Sequence, residues 1–191
     1  MMRKIVFDIE TKNAGTNGKL DVRDLEISVV GIHDSKTDTY HCFLESEFGE
    51  LWKILETATL LIGYNSNYFD VPILNRYYPG DLTRIKSIDL LHEIKKSGGR
   101  RVRLDAVAEG TLGKKKSGHG LQAITWWENG EIEKLKSYCL DDVRLTKELY
   151  DYALQHGVLR YISLGDTRDV KLNTSDWEEK DEASMTHTLP F

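Results

Sequence analysis

The stretch Ile5–Val6–Phe7–Asp8–Ile9–Glu10–Thr11 constrains this chain more than any other. Its apolar run reads as a buried strand, yet two acids stand near its end. Residues two apart in a strand project from the same face, so Asp8 and Glu10 lie side by side. Close carboxylates repel in a low-dielectric setting, and each loses hydration on burial. A divalent cation relieves both costs. Hard ions such as Mg²⁺ and Mn²⁺ take carboxylate oxygens, whereas zinc brings in histidine or cysteine. The plainer alternative is a strand that surfaces early and leaves both acids solvated.

The pattern along the chain predicts a mixed α/β architecture. Residues 3–9, 25–34 and 38–44 read as strands, the last two joined as a hairpin. Apolar residues at helical spacing mark 48–58 as a helix. The run 59–65 is a short apolar strand, and 70–78 suits a helix with Asp70 at its start and Pro72 in the first turn. A fifth short strand lies around Ile85–Asp89. Helices follow over 102–113 and 130–157, separated by the Gly- and Lys-rich segment 113–120. Three strands first, then strands alternating with helices, imply a mixed central sheet flanked by helices. The expected organisation is one domain over 1–157, a hairpin over 158–173 packed on or near it, and an acidic, flexible tail over 174–191.

Two more acids share the character of the first pair. Asp70 follows an apolar strand and opens a helix, where an ordinary capping aspartate is the plain expectation. Tyr138 and Asp142 are four apart, hence neighbours on one helix face with Leu135 and Leu145. That face turns toward the body of the protein. The competing reading makes Asp142 a surface residue paired with Lys147 or Arg144, with Asp141 a rival for its role.

Charge narrows the partners. The net charge of −5 argues against a simple polyanion binder. However, residues 161–191 alone carry a net −4, while residues 95–116 carry a net +6. The basic segment, with Arg100, Arg101, Arg103, Lys114, Lys115 and Lys116, can meet a phosphate backbone or form a solvated loop. Cys42 and Cys139 show no metal-ligand spacing, and no apolar run approaches the length of a membrane span. A reduced, cytoplasmic setting is expected. Trp126 and Trp127 read as packing residues.

Together these motifs resemble the DEDD superfamily of 3′–5′ exonucleases, whose fold is ribonuclease H-like. Phe7–Asp8–Ile9–Glu10–Thr11 resembles the first motif. Asn65–Ser66–Asn67–Tyr68–Phe69–Asp70 resembles the second, and Tyr138–Cys139–Leu140–Asp141–Asp142 the third, in its tyrosine subclass. The version is similar to the proofreading domain of family-B DNA polymerases, over about residues 4–152. Ser87–Ile88–Asp89–Leu90–Leu91–His92 also resembles a segment found there.

The resemblance implies two-metal hydrolysis of a phosphodiester. Asp8 would be the shared ligand of two Mg²⁺ or Mn²⁺ ions, Glu10 and Asp142 would complete one ion site, and Asp70 would hold the second. Tyr138 would orient the nucleophile, because a tyrosine with the reference pKa of about 10 is a poor base at neutral pH. Asn65 and Phe69 would sit near the terminal nucleotides, and the basic segment would guide the strand. The leading expectation is a stand-alone exonuclease acting on 3′ ends of single-stranded DNA or RNA, DNA being favoured, with a helicase or polymerase as a potential partner and no membrane. An endonuclease or RNA-processing nuclease on the same fold, or a non-catalytic nucleic-acid-binding module, are the alternatives.

Overall fold

The computed structural model describes residues 2–14, 21–98, 100–114 and 120–179. The strand that carries the acid pair, β1 (Lys4–Thr11), lies at the centre of a five-stranded sheet of order β3-β2-β1-β4-β5. On one side, β2 (Ile27–Asp34) runs antiparallel to β1, and β3 (Thr39–Leu44) antiparallel to β2. On the other, β4 (Leu60–Gly63) is parallel to β1 and β5 (Ser87–Asp89) parallel to β4. The mixed sheet expected from the sequence is the sheet observed.

Alternation along β1 decides which helices cover which face. Ile5, Phe7 and Ile9 pack with Phe48, Leu51 and Leu55 of α1 (Phe48–Leu55) and with Ile73 and Leu74 of α2 (Asp70–Leu74). Val6 points the other way, into a core with Val143, Leu149 and Tyr150 of α6 (Ile132–His156). Asp8 and Glu10 continue the Val6 face. The acids therefore sit where the α6 side of the sheet runs out of apolar partners.

A glycine sets how closely α6 approaches. Gly31 on β2 pairs with Asp8 on one side and with Cys42 of β3 on the other. A Cβ at Gly31 would lie 2.8 Å from Cys139 Sγ and 3.1 Å from Val143 Cγ2, both on α6. The absent side chain is thus filled by the helix. At its far end α6 stops at Gly157, in the left-handed region at φ 63°. That is the stop the sequence predicts.

Two helices were not expected. α3 (Leu90–Lys96) follows β5 directly, and α5 (Gly120–Glu128) precedes α6. Between them, α4 (Leu104–Leu112) carries the C-terminal hairpin of β6 (Val158–Ser163) and β7 (Asp166–Lys171). Thr111 Oγ1 donates to the Arg160 carbonyl at 2.7 Å and accepts the Arg160 N–H at 2.8 Å. Gly110 lets the two backbones meet, since a Cβ there would fall 2.7 Å from Tyr161 Cα.

The expectation of a flexible tail from Thr174 is corrected at its start. Trp177 is 1% exposed and stacks on Tyr150, with ring centroids 5.5 Å apart. Glu178 accepts from the Tyr150 hydroxyl at 3.0 Å and pairs with Lys4 at 2.7 Å. One aromatic side chain is enough to tie down a segment whose average composition is acidic and polar. The rest of the expected tail, 180–191, lies outside the described residues.

Substituting Gly31 tests the close approach of α6. Gly31→Ala is expected to cost about 1–3 kcal/mol, the usual penalty for overpacking a tight contact. Denaturant unfolding of the variant and the wild type measures it. Equal midpoints would mean that α6 has room to spare above Gly31.

Candidate active site

Three carboxyl groups converge where α6 crosses the end of β1. Asp8 and Glu10 come from the strand and Asp142 from the helix, and one oxygen of each lies within 4.8 Å of the others. Glu10 and Asp142 are buried and Asp8 is half-buried. Helical spacing explains the position of Asp142. Leu135, Cys139, Val143 and Leu149 bury the sheet-facing side of α6, and Asp142 lies among them. The reading of Asp142 as a surface ion-pair partner does not hold. Arg144 pairs with Asp141 at 2.7 Å, and Lys147 with Asp151 at 2.7 Å.

Tyr138 lies one turn before Asp142 and is also buried. Trp126 of α5 meets its ring edge-on, with centroids 5.5 Å apart and an interplanar angle of 63°. Trp127 lies under the Lys12 ammonium at 5.3 Å. Both tryptophans are packing residues, as the sequence suggests, and Trp126 packs on a residue of the candidate site.

Asp70 is 3% exposed and lines the same cleft, outside the group of three. It does not cap its own helix. Phe69 occupies the cap position, and Asp70 Oδ1 instead accepts the Ile9 N–H of β1 at 3.1 Å. That amide lies beyond the last β1–β4 pair, Val6 with Ile62. Burial pushes the Asp70 carboxyl up to about 7, against the pull of the Ile9 N–H, and the nearby acids Asp89 and Asp142 add to the rise. Near neutral pH this group is close to balanced between its two forms.

Cys139 is part of the same packing. Its thiol donates to the Asp8 carbonyl at 3.5 Å. A hydrogen bond with Cys42, burial and the neighbouring Asp8 all push its pKa up, which keeps it protonated and unsuited to nucleophilic attack.

The cleft above these groups has a volume of about 970 Å³. That is at the upper end of the roughly 300–1,000 Å³ common for ligand sites. Asn65 and Phe69 line it, as does Arg103. Among the described residues, the other basic side chains of the 95–116 segment do not line it. Arg100 donates to Ser163 Oγ on the hairpin and lies over the Tyr161 ring. Lys114 pairs with Glu148 at 2.6 Å, and Arg101 is exposed. Lys115 and Lys116 lie outside the described residues. The single basic face expected from the sequence is therefore divided among the cleft, the hairpin and α6.

Sequence reasoning missed Leu121, Gln122 and Ile124, which line the cleft from α5. The signal was present in Leu121–Gln122–Ala123–Ile124–Thr125–Trp126–Trp127, where Leu121 and Ile124 share one face and Ala123, Trp126 and Trp127 another. The acidic donor set suits a hard divalent cation, because every ligand atom in the group of three is a carboxylate oxygen.

The chain belongs to the RNase_H superfamily, whose family model matches residues 5–154. Its fold is accordingly ribonuclease H-like. Among solved structures, the family B DNA polymerase from the hyperthermophilic archaeon Pyrobaculum calidifontis is similar, with a TM-score of 0.63 and 21% identity. The likeness, one of fold, covers 81% of this chain and 25% of the polymerase, so the chain spans about a quarter of that protein's length. No curated protein matches the sequence. Among the described residues no helix is long and apolar enough to cross a membrane.

The raised pKa of Asp70 has a consequence for stability. A carboxyl that holds its proton more tightly when folded contributes stability fully at low pH, below its ordinary value near 4. That contribution is lost as pH rises through about 7. In chelator, Asp70→Asn is therefore expected to melt higher than the wild type at pH 8 and level with it at pH 4. The gap at pH 8 should be several degrees, since about 1 kcal/mol moves the melting point of a chain this size by about 2–4 °C. Melting curves across that pH range read it directly. A gap that is the same at both pH values would show that Asp70 titrates normally.

Proposed function

We propose that this member of the RNase_H superfamily is a metal-dependent 3′–5′ exonuclease of the tyrosine DEDD subclass. It would act on single-stranded nucleic acid, DNA in preference to RNA, and release nucleoside 5′-monophosphates. One observation carries the reading: the convergence of Asp8, Glu10 and Asp142 within 4.8 Å, at the floor of an open cleft that Tyr138 and Asp70 also line. The separate elements β1, α2 and α6 supply these groups. A surface cluster of acids would not need three elements to bury it.

In this reading Asp8, Glu10 and Asp142 would hold one divalent cation, and Asp70 would help to hold a second. When bound, the cations would make water acidic enough to attack and would offset charge on the phosphodiester. The residues of the chain do the rest. Tyr138 would orient the attacking water through its hydroxyl. Trp126 limits the motion of the Tyr138 ring. Asn65 and Phe69 flank the terminal nucleotides, one offering an amide and the other an aromatic face. The Asp70 carboxyl, held up toward its protonated form, would have to lose that proton to ligate a cation, so metal affinity should rise with pH.

The reading is tested with matched DNA and RNA oligonucleotides labelled at the 3′ or the 5′ end, in Mg²⁺ or Mn²⁺. Mononucleotide released first from the 3′ label is expected. Internal fragments would indicate an endonuclease, and intact strands a binding module. Asp8→Asn and Asp142→Asn should each lower turnover by a factor on the order of a hundred or more, since charge stabilisation is the largest part of such catalysis. The same variants should lose the rise in melting temperature that Mn²⁺ gives the wild type, because only a ligand of the folded state stabilises it.

Tyr138→Phe separates orientation from ligation. It should slow hydrolysis while leaving the Mn²⁺-induced rise in melting temperature in place. A variant that binds Mn²⁺ much more weakly would make Tyr138 part of the metal site.

A further inference from the structure

Asp89 stands outside the acidic cluster of Asp8, Glu10 and Asp142. It ends β5, beside Gly63 at the end of β4, and is 4% exposed. Its carboxyl gathers four backbone amides from two different segments. Oδ1 accepts from Asn65 N–H at 2.8 Å, Leu91 N–H at 3.0 Å and His92 N–H at 3.2 Å. Oδ2 accepts from Asn67 N–H at 3.0 Å. The Leu91 and His92 bonds cap α3. The other two clasp the loop that leads from β4 to Asp70.

That loop needs holding. Asn65 sits in the left-handed region at φ 62°, which asparagine tolerates better than most residues but does not favour. The turn then propagates through its own hydrogen bonds. Phe69 N–H donates to the Asn65 carbonyl at 3.1 Å, and Val71 N–H to the Ser66 carbonyl at 2.9 Å. Ser66 is fully buried against Gly63, where a Cβ would collide with it. The start of α2 is thereby fixed, and with it the Asp70 carboxyl, which bonds Ile9 between the two strand acids. Asp89 is at the head of this series, and the cleft is at its end.

We propose that Asp89 is a positioning residue for the site. By holding the Asn65 and Asn67 amides it sets where Asn65 and Asp70 stand in the cleft, as a role separate from capping α3. The claim that this matters for hydrolysis rests on the exonuclease reading. The claim about geometry does not.

Two substitutions divide the roles. Asp89→Ser keeps a side-chain acceptor at the helix cap but is too short to reach Asn65 and Asn67. Asp89→Asn can keep its oxygen toward Asn65, Leu91 and His92, and then sets an NH₂ donor against the Asn67 N–H. Amide hydrogen exchange of the whole chain reads both segments at once. In Asp89→Ser, protection is expected to fall over 65–71 and to persist over 91–94. In Asp89→Asn the loss should centre on Asn67. A Mn²⁺ titration should show weaker binding in both variants, on the order of tenfold, and kcat on a single-stranded oligonucleotide should fall by a similar factor, since small misplacements at a site are costly. Unchanged exchange over 65–71, or equal loss over 65–71 and 91–94, would overturn the proposal. So would Mn²⁺ binding equal to wild type. If the wild type hydrolyses nothing, the exonuclease reading fails, and the exchange and Mn²⁺ readouts still decide the role of Asp89.

Discussion

A carboxyl on a helix can join two on a strand only if the helix lies close against the sheet. The closeness of α6 over Gly31 is therefore the constraint on which the candidate site depends. It brings Asp142 to Asp8 and Glu10, and with it a concentration of like charge that burial makes costly. Apolar contact along the rest of α6 supplies the opposing force. Val143, Leu149, Tyr150 and Ala153 belong to one core with Val6 and Ile62 of the sheet and with Trp177 beyond the hairpin. The helix is anchored by buried residues on both sides of Asp142, so its middle can carry an unfavourable arrangement. A site strained in this way belongs at the edge of a core, and that is where the alternation of β1 puts it.

Topology explains why the remaining groups gather at the same edge. The chain leaves β1 toward β2 on one side of the sheet and leaves β4 toward β5 on the other. A crevice opens at the carboxyl ends of two parallel strands whose connections diverge in this way. Asp8 and Glu10 are at the end of β1. The loop of Asn65 and Phe69, with Asp70 behind it, follows β4, and Asp89 ends β5. The cleft is thus built at the ends of β1 and β4, with Asp89 at the end of β5 holding the loop behind it, and is closed by α6 on one flank and α5 on the other. Asp70 couples the ends of β1 and β4 physically, because its carboxyl takes an amide of β1 that β4 is too short to reach.

What the sequence disclosed and what it withheld divide along the range of the interaction. The pairing of Asp8 with Glu10 and of Tyr138 with Asp142 follows from strand and helix periods, which are local, and both pairs stand as the periods require. The partner of Asp70 lies 61 residues away, so local chemistry suggested a cap and the fold made a cross-link. The long helix was legible from its acids, its apolar stripe and Gly157. Helix α5 was not, because the Gly- and Lys-rich stretch before it reads as a loop and its two tryptophans read only as bulk. Trp177 was hidden by its neighbours, whose charge outweighs one aromatic residue in any average. The basic segment misled for a related reason. Charge counted along a sequence does not say where each side chain goes, and here ion pairs and the hairpin draw Arg100 and Lys114 away from the cleft.

That redistribution changes the electrostatic problem the proposed activity must solve. A phosphodiester entering the cleft approaches three carboxyl groups on a chain of net charge −5. Arg103 is the basic side chain of the cleft among the described residues, and it already pairs with Asp105 at 2.8 Å. Lys114 is engaged by Glu148 and Arg100 by the hairpin. Among the described residues, fixed cations therefore do little to neutralise the cleft. For a polyanion to bind there, the acids must first be offset by divalent cations. Binding of the strand and binding of the metal then become linked equilibria, each favouring the other. The same acids that repel the substrate in chelator would, once loaded, be what holds its 3′ end in place, which gives the buried like charges on β1 and α6 a reason to persist against their cost in stability.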